Sequence, residues 1–245
     1  MFFNKYFFIL LIIFLLPIHF GLGIYIYLSH DLPTTEDVRN VELQVPLKIF
    51  TSDGKLIGEY GEIHRTKLKF NEIPENLIKA FLAAEDSDFF THTGVDFLSL
   101  LRATYQYIKE GEIISGGGTI TMQVARNYVL TKDQTFERKL KEIFMAFKLD
   151  LSFTKEEIFE LYVNQIFLGN RAYGVAAASE IYYGKSLSEL SIAQSAMIAS
   201  LPKAPSRINP IANPKRALIR RNWVLSRMES LGYIDEDNFL KANLL

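Results

Sequence analysis

The sequence predicts a mainly α-helical protein with an N-terminal transmembrane helix and one small β-hairpin element. Three observations lead there. Residues 7–28 form an apolar run with no acid, Lys or Arg; two alternating runs between Leu47 and Tyr60 flank Asp53-Gly54; and almost every segment after Pro74 carries apolar residues at helical spacing. No alternation of strands and helices of the kind that builds a parallel sheet is present.

The first element follows from length and charge. As a helix, 22 residues would span about 33 Å, enough to cross a bilayer core. Lys5 and the free amine precede the run, while Asp31, Glu36 and Asp37 follow it. The positive-inside tendency then puts residues 1–6 in the cytoplasm and the rest of the chain outside. Aromatics sit near both ends (Phe2, Phe3, Tyr6; Tyr25, Tyr27), as at membrane interfaces, and a span tolerates Pro17. The run is too long for a signal peptide and lacks a small-x-small cleavage site, so an uncleaved anchor is expected. Residues 29–45 are polar, contain Pro33, and read as a linker. The hairpin follows, and Arg65 to Phe70 is read as a further strand.

Composition bounds the rest. A length of 245 residues allows one sizeable domain plus an appendage, or two small ones. Basic and acidic residues balance at 27 against 28, so nothing in the whole-chain charge points to nucleic acid, and any basic site must be local. The absence of cysteine excludes disulfides and thiolate chemistry, and the four histidines (His19, His30, His64, His92) are too scattered for a histidine-ligated metal.

Pro74 to Ala84 is a short helix with Leu77, Ile78, Phe81 and Leu82 on its apolar side. It runs into Glu85-Asp-Ser-Asp-Phe-Phe-Thr-His-Thr-Gly94, where three carboxylates and a histidine crowd two phenylalanines. An acid held against aromatic surface loses hydration, which disfavours its charged form and moves it toward general-base duty. Glu85 is the candidate. A Glu-Asp pair closing a helix is more often a solvated end, and Asp86-Ser-Asp88 imitates the Asp-x-Asp of metal-dependent glycosyltransferases that need the parallel sheet missing here.

Phe97 to Ile108 is rich in Phe, Leu and Tyr, and periodicity alone favours a core helix over a membrane-dipping one. Gly116-Gly117-Gly118 then lets backbone approach a ligand, and the helix after it presents free N–H groups to an anion. Thr119, Gln123, Arg126 and Asn127 share one face by their i, i+4, i+7, i+8 spacing. No Gly-Lys-Ser/Thr follows, so this is not a nucleotide P-loop.

Thr135 is a cap for a helix from Phe136 to about Leu151, with an expected buried stripe of Leu140, Ile143, Phe144, Phe147 and Leu151. Arg138 and Glu142 project opposite that stripe, with Lys139 and Lys141 on the flanks. A solvated i, i+4 ion pair is the usual reading, and a carboxylate among cations that handle a phosphorylated sugar is the sharper one. Thr154-Lys-Glu-Glu157 is a capping box for a helix through Phe167, and Ser186-Leu-Ser-Glu189 is read as the box of the next long helix. Asn213-Pro214 opens a basic helix (Lys215, Arg216, Arg220, Arg221, Arg227) that stops at Gly232, its charges read as a solvated face. Asp235 caps a last short helix.

Taken together these blocks resemble the peptidoglycan glycosyltransferases of glycosyltransferase family 51, monofunctional or as the N-terminal half of class A penicillin-binding proteins. The matching stretches are Glu85–Gly94, Gly116–Asn127, Arg138–Glu142, Glu157–Gly174 and Ala193–Pro205. The resemblance implies a lysozyme-like glycosyltransferase domain over 46–232, with a small jaw partly sunk in the membrane, and a tail or linker start over 233–245. That shifts Phe97 to Ile108 toward membrane contact. It implies polymerisation of lipid II into β-1,4-linked glycan with inversion and release of undecaprenyl pyrophosphate.

Glu85 would be the base for the acceptor's 4-hydroxyl. Glu142 would be the second catalytic carboxylate, acting on the departing pyrophosphate directly or as ligand of a divalent cation (Mg or Mn); no other cofactor is implied. Asp86, Phe89, His92, Gly117, Thr119, Gln123, Arg126, Asn127, Arg138, Lys139 and Lys141 would bind substrate. Expected partners are lipid II, the nascent glycan chain, membrane lipid and other cell-wall synthesis proteins, with no nucleic acid. The expected location is the outer, periplasmic face of a bacterial inner membrane, through a single-pass anchor. Glu85 and Glu142 would face each other across a groove with a basic wall.

Two positions depart from the family pattern. Gly118 stands where many relatives carry serine, and Arg126 where many carry lysine. The 245 residues hold no transpeptidase half, and acylation by penicillin is not expected; the hairpin and the tail after Gly232 look more like the bifunctional class, which leaves a shortened bifunctional protein open. The rival functions are a lysozyme-like hydrolase or lytic transglycosylase, and a non-catalytic anchored scaffold for wall-synthesis partners.

Overall fold

A computed structural model describes residues 2–30, 32–39, 47–60, 67–111, 118–128 and 136–244. Gly116, Gly117, Arg65 and Thr135, each given a role above, lie outside the described residues.

Helix α1 (Phe2–Ser29) is continuous through Pro17. Its stretch Phe7–Ser29 is long and apolar enough to cross a membrane; its most apolar 18 residues are not buried by the rest of the chain, while Leu28 near its end is buried. The segment read as a linker contains a short helix, α2 (Thr35–Arg39), docked rather than loose. Val38 is buried, Arg39 reaches the Ser152 carbonyl at 3.4 Å and lies over the Phe153 ring, and Lys148 Nζ donates to the Pro33 carbonyl at 2.7 Å. Strands β1 (Leu47–Phe50) and β2 (Leu56–Tyr60) form the expected antiparallel hairpin, turning through Gly54 at φ +82°. The expected third strand does not form in its described part: Phe70–Glu72 is a 3-10 turn, where Glu72 accepts from the Lys69 N–H and Glu160 from the Phe70 N–H.

The remaining helices are α3 (Glu75–Glu85), α4 (Phe97–Glu110), α5 (Ile120–Tyr128), α6 (Phe136–Ser152), α7 (Lys155–Gln165), α8 (Val175–Tyr183), α9 (Ile192–Ser200), α10 (Pro214–Ser230) and α11 (Glu236–Leu244). The Thr154–Glu157 box opens α7 as expected. The Ser186–Glu189 box closes only a 3-10 turn over Leu187–Glu189, and α9 has its own box, Ser191–Gln194. Asn213 caps α10, and Asp235 accepts from Asn238 N–H at the start of α11.

Two packing groups meet in one core. Helix α3 packs on α9 and α10, while α5 packs on α6 and α7. The fully buried aromatics Phe81, Phe89 and Phe159 join them, Phe81 meeting Phe159 edge to face and Phe89 meeting it at a tilt.

Helix α6 is rotated from the expectation. Its buried face is Lys141, Glu142, Met145, Ala146 and Leu149, while Leu140, Ile143, Phe144 and Phe147 are half-buried and Leu151 is 89% exposed. A pattern of apolar residues marks a face that avoids water, and such a face can serve an apolar surface outside the protein as well as a core. Tyr25 of α1 meets Phe144 and Phe97 of α4 stacks on Phe147, so α1, α4 and α6 share this side. On α4, Phe97, Leu98, Leu101, Tyr105 and Ile108 are all exposed, which overturns the core reading from periodicity.

Candidate active site

A cleft of about 670 Å³ opens between the two packing groups. Its floor is the C-terminal end of α3 and the following turn, Ala83 to Asp88. Gly118, Thr119, Gln123 and Arg126 from α5 and its entry, with Lys139 of α6, form one wall; Lys203 and Arg220, Trp223 and Arg227 of α10 line it as well.

Glu85 ends α3 because Asp86 leaves helical geometry there, at φ −163° and ψ 84°. Gln123 Nε2 donates to Glu85 Oε2 at 2.8 Å. Burial pushes the Glu85 carboxyl above the ordinary glutamate range; the Gln123 hydrogen bond and then the Arg220 and Lys203 charges pull the other way. The buried Tyr162 hydroxyl has no hydrogen-bond partner, and its phenol is raised by burial and then by the charges of Glu85 and Asp86.

Asp86 is a tether. Its carboxylate accepts from the Ile120 N–H at 2.9 Å, at the first turn of α5, and contacts His92 Nε2 at 3.0 Å. Thr119 completes the joint, donating to the Gly94 carbonyl at 2.6 Å and accepting from the Met122 N–H. Gly94 itself lies at φ +77°, and a Cβ there would sit 2.7 Å from the Ala146 carbonyl oxygen, so a side chain would push the turn off α6. Lys155 clamps the same turn through the His92 carbonyl and Asp150.

Glu142 is fully buried and does not line the cleft, so the two acids do not face each other across open space. Its carboxylate is ringed by Arg126 Nε at 3.3 Å, Arg138 Nε at 3.5 Å and Lys139 Nζ at 3.2 Å. What reaches the opening is Arg126, half exposed, and Lys139. One carboxylate among three cations does not fit a divalent ion, which would need further anionic ligands and would meet three like charges. Among the described residues no group of three His, Asp or Glu side chains is placed to hold one.

Of the other predicted residues, Phe89 is core, His92 and Arg138 support from behind, and Asn127 bonds Gln165 at 3.2 Å. Lys141 is turned inward and pairs with Glu137 at 2.9 Å. At Gly118 an added Cβ meets nothing within 4 Å, so the missing serine side chain leaves room on the cleft wall.

Sequence reasoning missed Lys203, Arg220, Trp223 and Arg227. Lys203 ends a 3-10 turn in the Pro-rich segment and carries no periodic signal; on basic α10, whose charges look solvated, Arg220, Trp223 and Arg227 follow i, i+3, i+7 spacing on one face, and that spacing is the available signal. The same reading fails for Arg221, which is buried and bonds Asn222 and the Asn243 carbonyl, but holds for exposed Lys215 and Arg216.

A transglycosylase family profile matches residues 53–229. The chain belongs to the transglycosylase family. This transglycosylase chain is 55% identical over 220 residues to penicillin-binding protein 1A of Pseudomonas aeruginosa, covering 90% of this chain and 27% of that protein. It is 45% identical over 217 residues to penicillin-binding protein 1A of Escherichia coli, covering 89% and 26%. A crystal structure of penicillin-binding protein 1A from Haemophilus influenzae matches with a TM-score of 0.47 and 36% identity, covering 83% of this chain and 21% of that one. The chain thus spans about a quarter of the length of these relatives.

Ser-x-x-Lys spacing does occur in this transglycosylase chain, at Ser52–Lys55, Ser152–Lys155 and Ser200–Lys203. The lysines are engaged elsewhere or open to the cleft: Lys55 pairs with Asp53, Lys155 with Asp150, and Lys203 lines the cleft while the buried Ser200 hydroxyl donates to the Met197 carbonyl.

Proposed function

We propose that this chain is a peptidoglycan glycosyltransferase domain that joins lipid-diphosphate-linked disaccharides into β-1,4 glycan with inversion. The observation that carries the reading is one desolvated acid, Glu85, in the same cleft as cations centred on Glu142. A sugar hydroxyl is a poor nucleophile, so Glu85, in its ionised form, takes its proton as the oxygen attacks C1 of the donor sugar. The C1–O bond to the diphosphate breaks, and the electron pair leaves with the diphosphate. Arg126 and Lys139 meet that growing negative charge, while Glu142 and Arg138 hold them in place.

Glu85 then serves as base, Gln123 as its orienting partner, and Asp86 with Thr119 as the joint that sets α5 against α3. Helix α1 as a single-pass anchor and the exposed apolar residues of α4 and α6 would hold the cleft at the membrane surface where such a donor resides, on the periplasmic side. Other wall-synthesis proteins are expected partners.

The test is incubation with lipid II. Glycan polymer with undecaprenyl pyrophosphate supports the reading; cleavage of finished glycan without polymer supports a hydrolase instead. An arm with EDTA separates a metal-assisted leaving group from one held by Arg126 and Lys139 alone, and unchanged rate is the expected result.

A further inference from the structure

Helix α6 carries the charges around Glu142 in its first half and is tied to the membrane anchor at its other end. Arg138, Lys139 and Glu142 lie near its start. Its last turns hold the segment that leaves α1. Lys148 Nζ donates to the Pro33 carbonyl at 2.7 Å, and Arg39 donates to the carbonyl of Ser152, the last residue of α6, at 3.4 Å. The Arg39 guanidinium also lies 4.7 Å from the Phe153 ring centroid, and its Nη1 is 3.5 Å from a carboxylate oxygen of Glu157 in the α7 capping box.

Apolar side chains seat the same segment. Leu28 at the end of α1, Leu32 beyond it and Val38 of α2 are buried, and Leu32 and Val38 belong to the main core. Asp37 accepts from both the N–H and the hydroxyl of Thr34, each at 2.7 Å, which fixes the start of α2. The ion pair alone contributes little, because Arg39 is more than half exposed. The seat is made by the buried side chains together with a cation at the C-terminal end of α6, where free carbonyls favour one. A polar spacer that only gave slack between anchor and domain would need none of these contacts.

We infer that Leu28, Leu32 and α2 form a rigid brace, in which Val38, Arg39 and Lys148 are positioning residues that set the height and tilt of the cleft over the membrane. The inference goes beyond the proposed polymerisation and rests on it, since that reaction draws its lipid-linked substrates from the bilayer. From Lys139 to Ser152 the helix covers about 20 Å, so a small tilt at the braced end is carried to the cations at the other. A misplacement of about 1 Å is already costly in rate. Tyr25 of α1 against Phe144 gives α6 a second attachment to the anchor, and two attachments fix a tilt that one would leave free. The brace touches no substrate and acts only through α6.

The test reconstitutes the full chain in vesicles and offers it two substrates: lipid II in the same bilayer, and a water-soluble short-lipid analogue. Height over the bilayer matters for the first and not for the second. Arg39→Gln combined with Lys148→Met is expected to slow polymerisation of bilayer lipid II about tenfold while the rate on the soluble analogue stays within about twofold. Val38→Asp, which unseats α2 from its apolar side, is expected to do the same. A role in folding alone would lower both rates together, and circular dichroism with thermal melts follows the fold of each variant.

A short Gly-Ser insert separates a brace from a tether. Placed between Ser29 and His30 it parts the anchor from α2 and is expected to reproduce the loss on bilayer lipid II. Placed between Glu42 and Leu43, after the brace, it is expected to leave that rate within about twofold, because the seat on α6 is intact.

Equal losses on the two substrates, undiminished polymerisation of bilayer lipid II by the Arg39 and Lys148 double variant, or equal losses from the two inserts would overturn the inference. An unaltered chain that polymerises both substrates, with variants that do the same, keeps the function and loses the brace. An unaltered chain that polymerises neither removes the function and the brace with it.

Discussion

Gln123 Nε2 lies 2.8 Å from Glu85 Oε2, and this single hydrogen bond ties the end of α3 to the middle of α5 across the floor of the cleft. It orients a carboxylate whose burial favours its protonated form, so geometry and proton affinity are set by the same neighbourhood.

The raised proton affinity of Glu85 gives a pH prediction for activity. A base must be ionised, so kcat should fall as pH drops through the Glu85 value, with the acid limb above the ordinary glutamate range near 4.5. Gln123→Ala removes the hydrogen bond that favours the carboxylate, and the limb should move further up in a pH–rate profile.

Stability has the opposite sign. Because the folded value is raised, the folded state binds this proton more tightly than the unfolded chain does. The contribution of Glu85 to stability is therefore fully present below the unfolded value and is lost as pH rises through the folded one. Glu85→Gln should melt at a higher temperature than the unaltered protein at pH 8, and the gap should close on acidification. Thermal melts at several pH values check it.

Asp86 should behave as a structural residue. Asp86→Ala leaves the buried Ile120 N–H and His92 without their acceptor, at a cost of about 1–3 kcal/mol. The expected result is a lower denaturation midpoint with activity lost through misplacement of α5.

Glu142 should act through its cations. Glu142→Gln frees Arg126, Arg138 and Lys139 to repel one another, and the loss of leaving-group stabilisation is expected at about 2–4 kcal/mol, a hundredfold or more in kcat. Added Mg or Mn should not restore the rate, as steady-state kinetics with and without metal will show.

The exposed apolar face should bind lipid. Leu98→Ser with Leu101→Ser removes two α4 side chains that are 73% and 66% exposed. Vesicle association of the protein should drop with little change in melting temperature, because these side chains pack against little of the core.

Local chemistry made much of this readable in advance. The Asp53-Gly54 turn, the Thr154–Glu157 box and the Asn213-Pro214 start are decided within a few residues, and each stands where the sequence puts it. Position relative to a partner is not local. The apolar stripe of α6 was visible, but only packing shows that Glu142 and Lys141 turn inward while Leu151 points out. Basic α10 reads as solvated until α3 and α9 fix which of its sides meets Glu85. Ser186 and Ser191 both begin capping boxes, and only the length of helix that follows tells them apart.

The most direct measurement is polymerisation of lipid II by Glu85→Gln, made beside its circular dichroism spectrum and thermal melt. The account predicts a folded protein, at least as stable as the original at pH 8, that forms no glycan polymer. Undiminished polymer from that folded variant would contradict it.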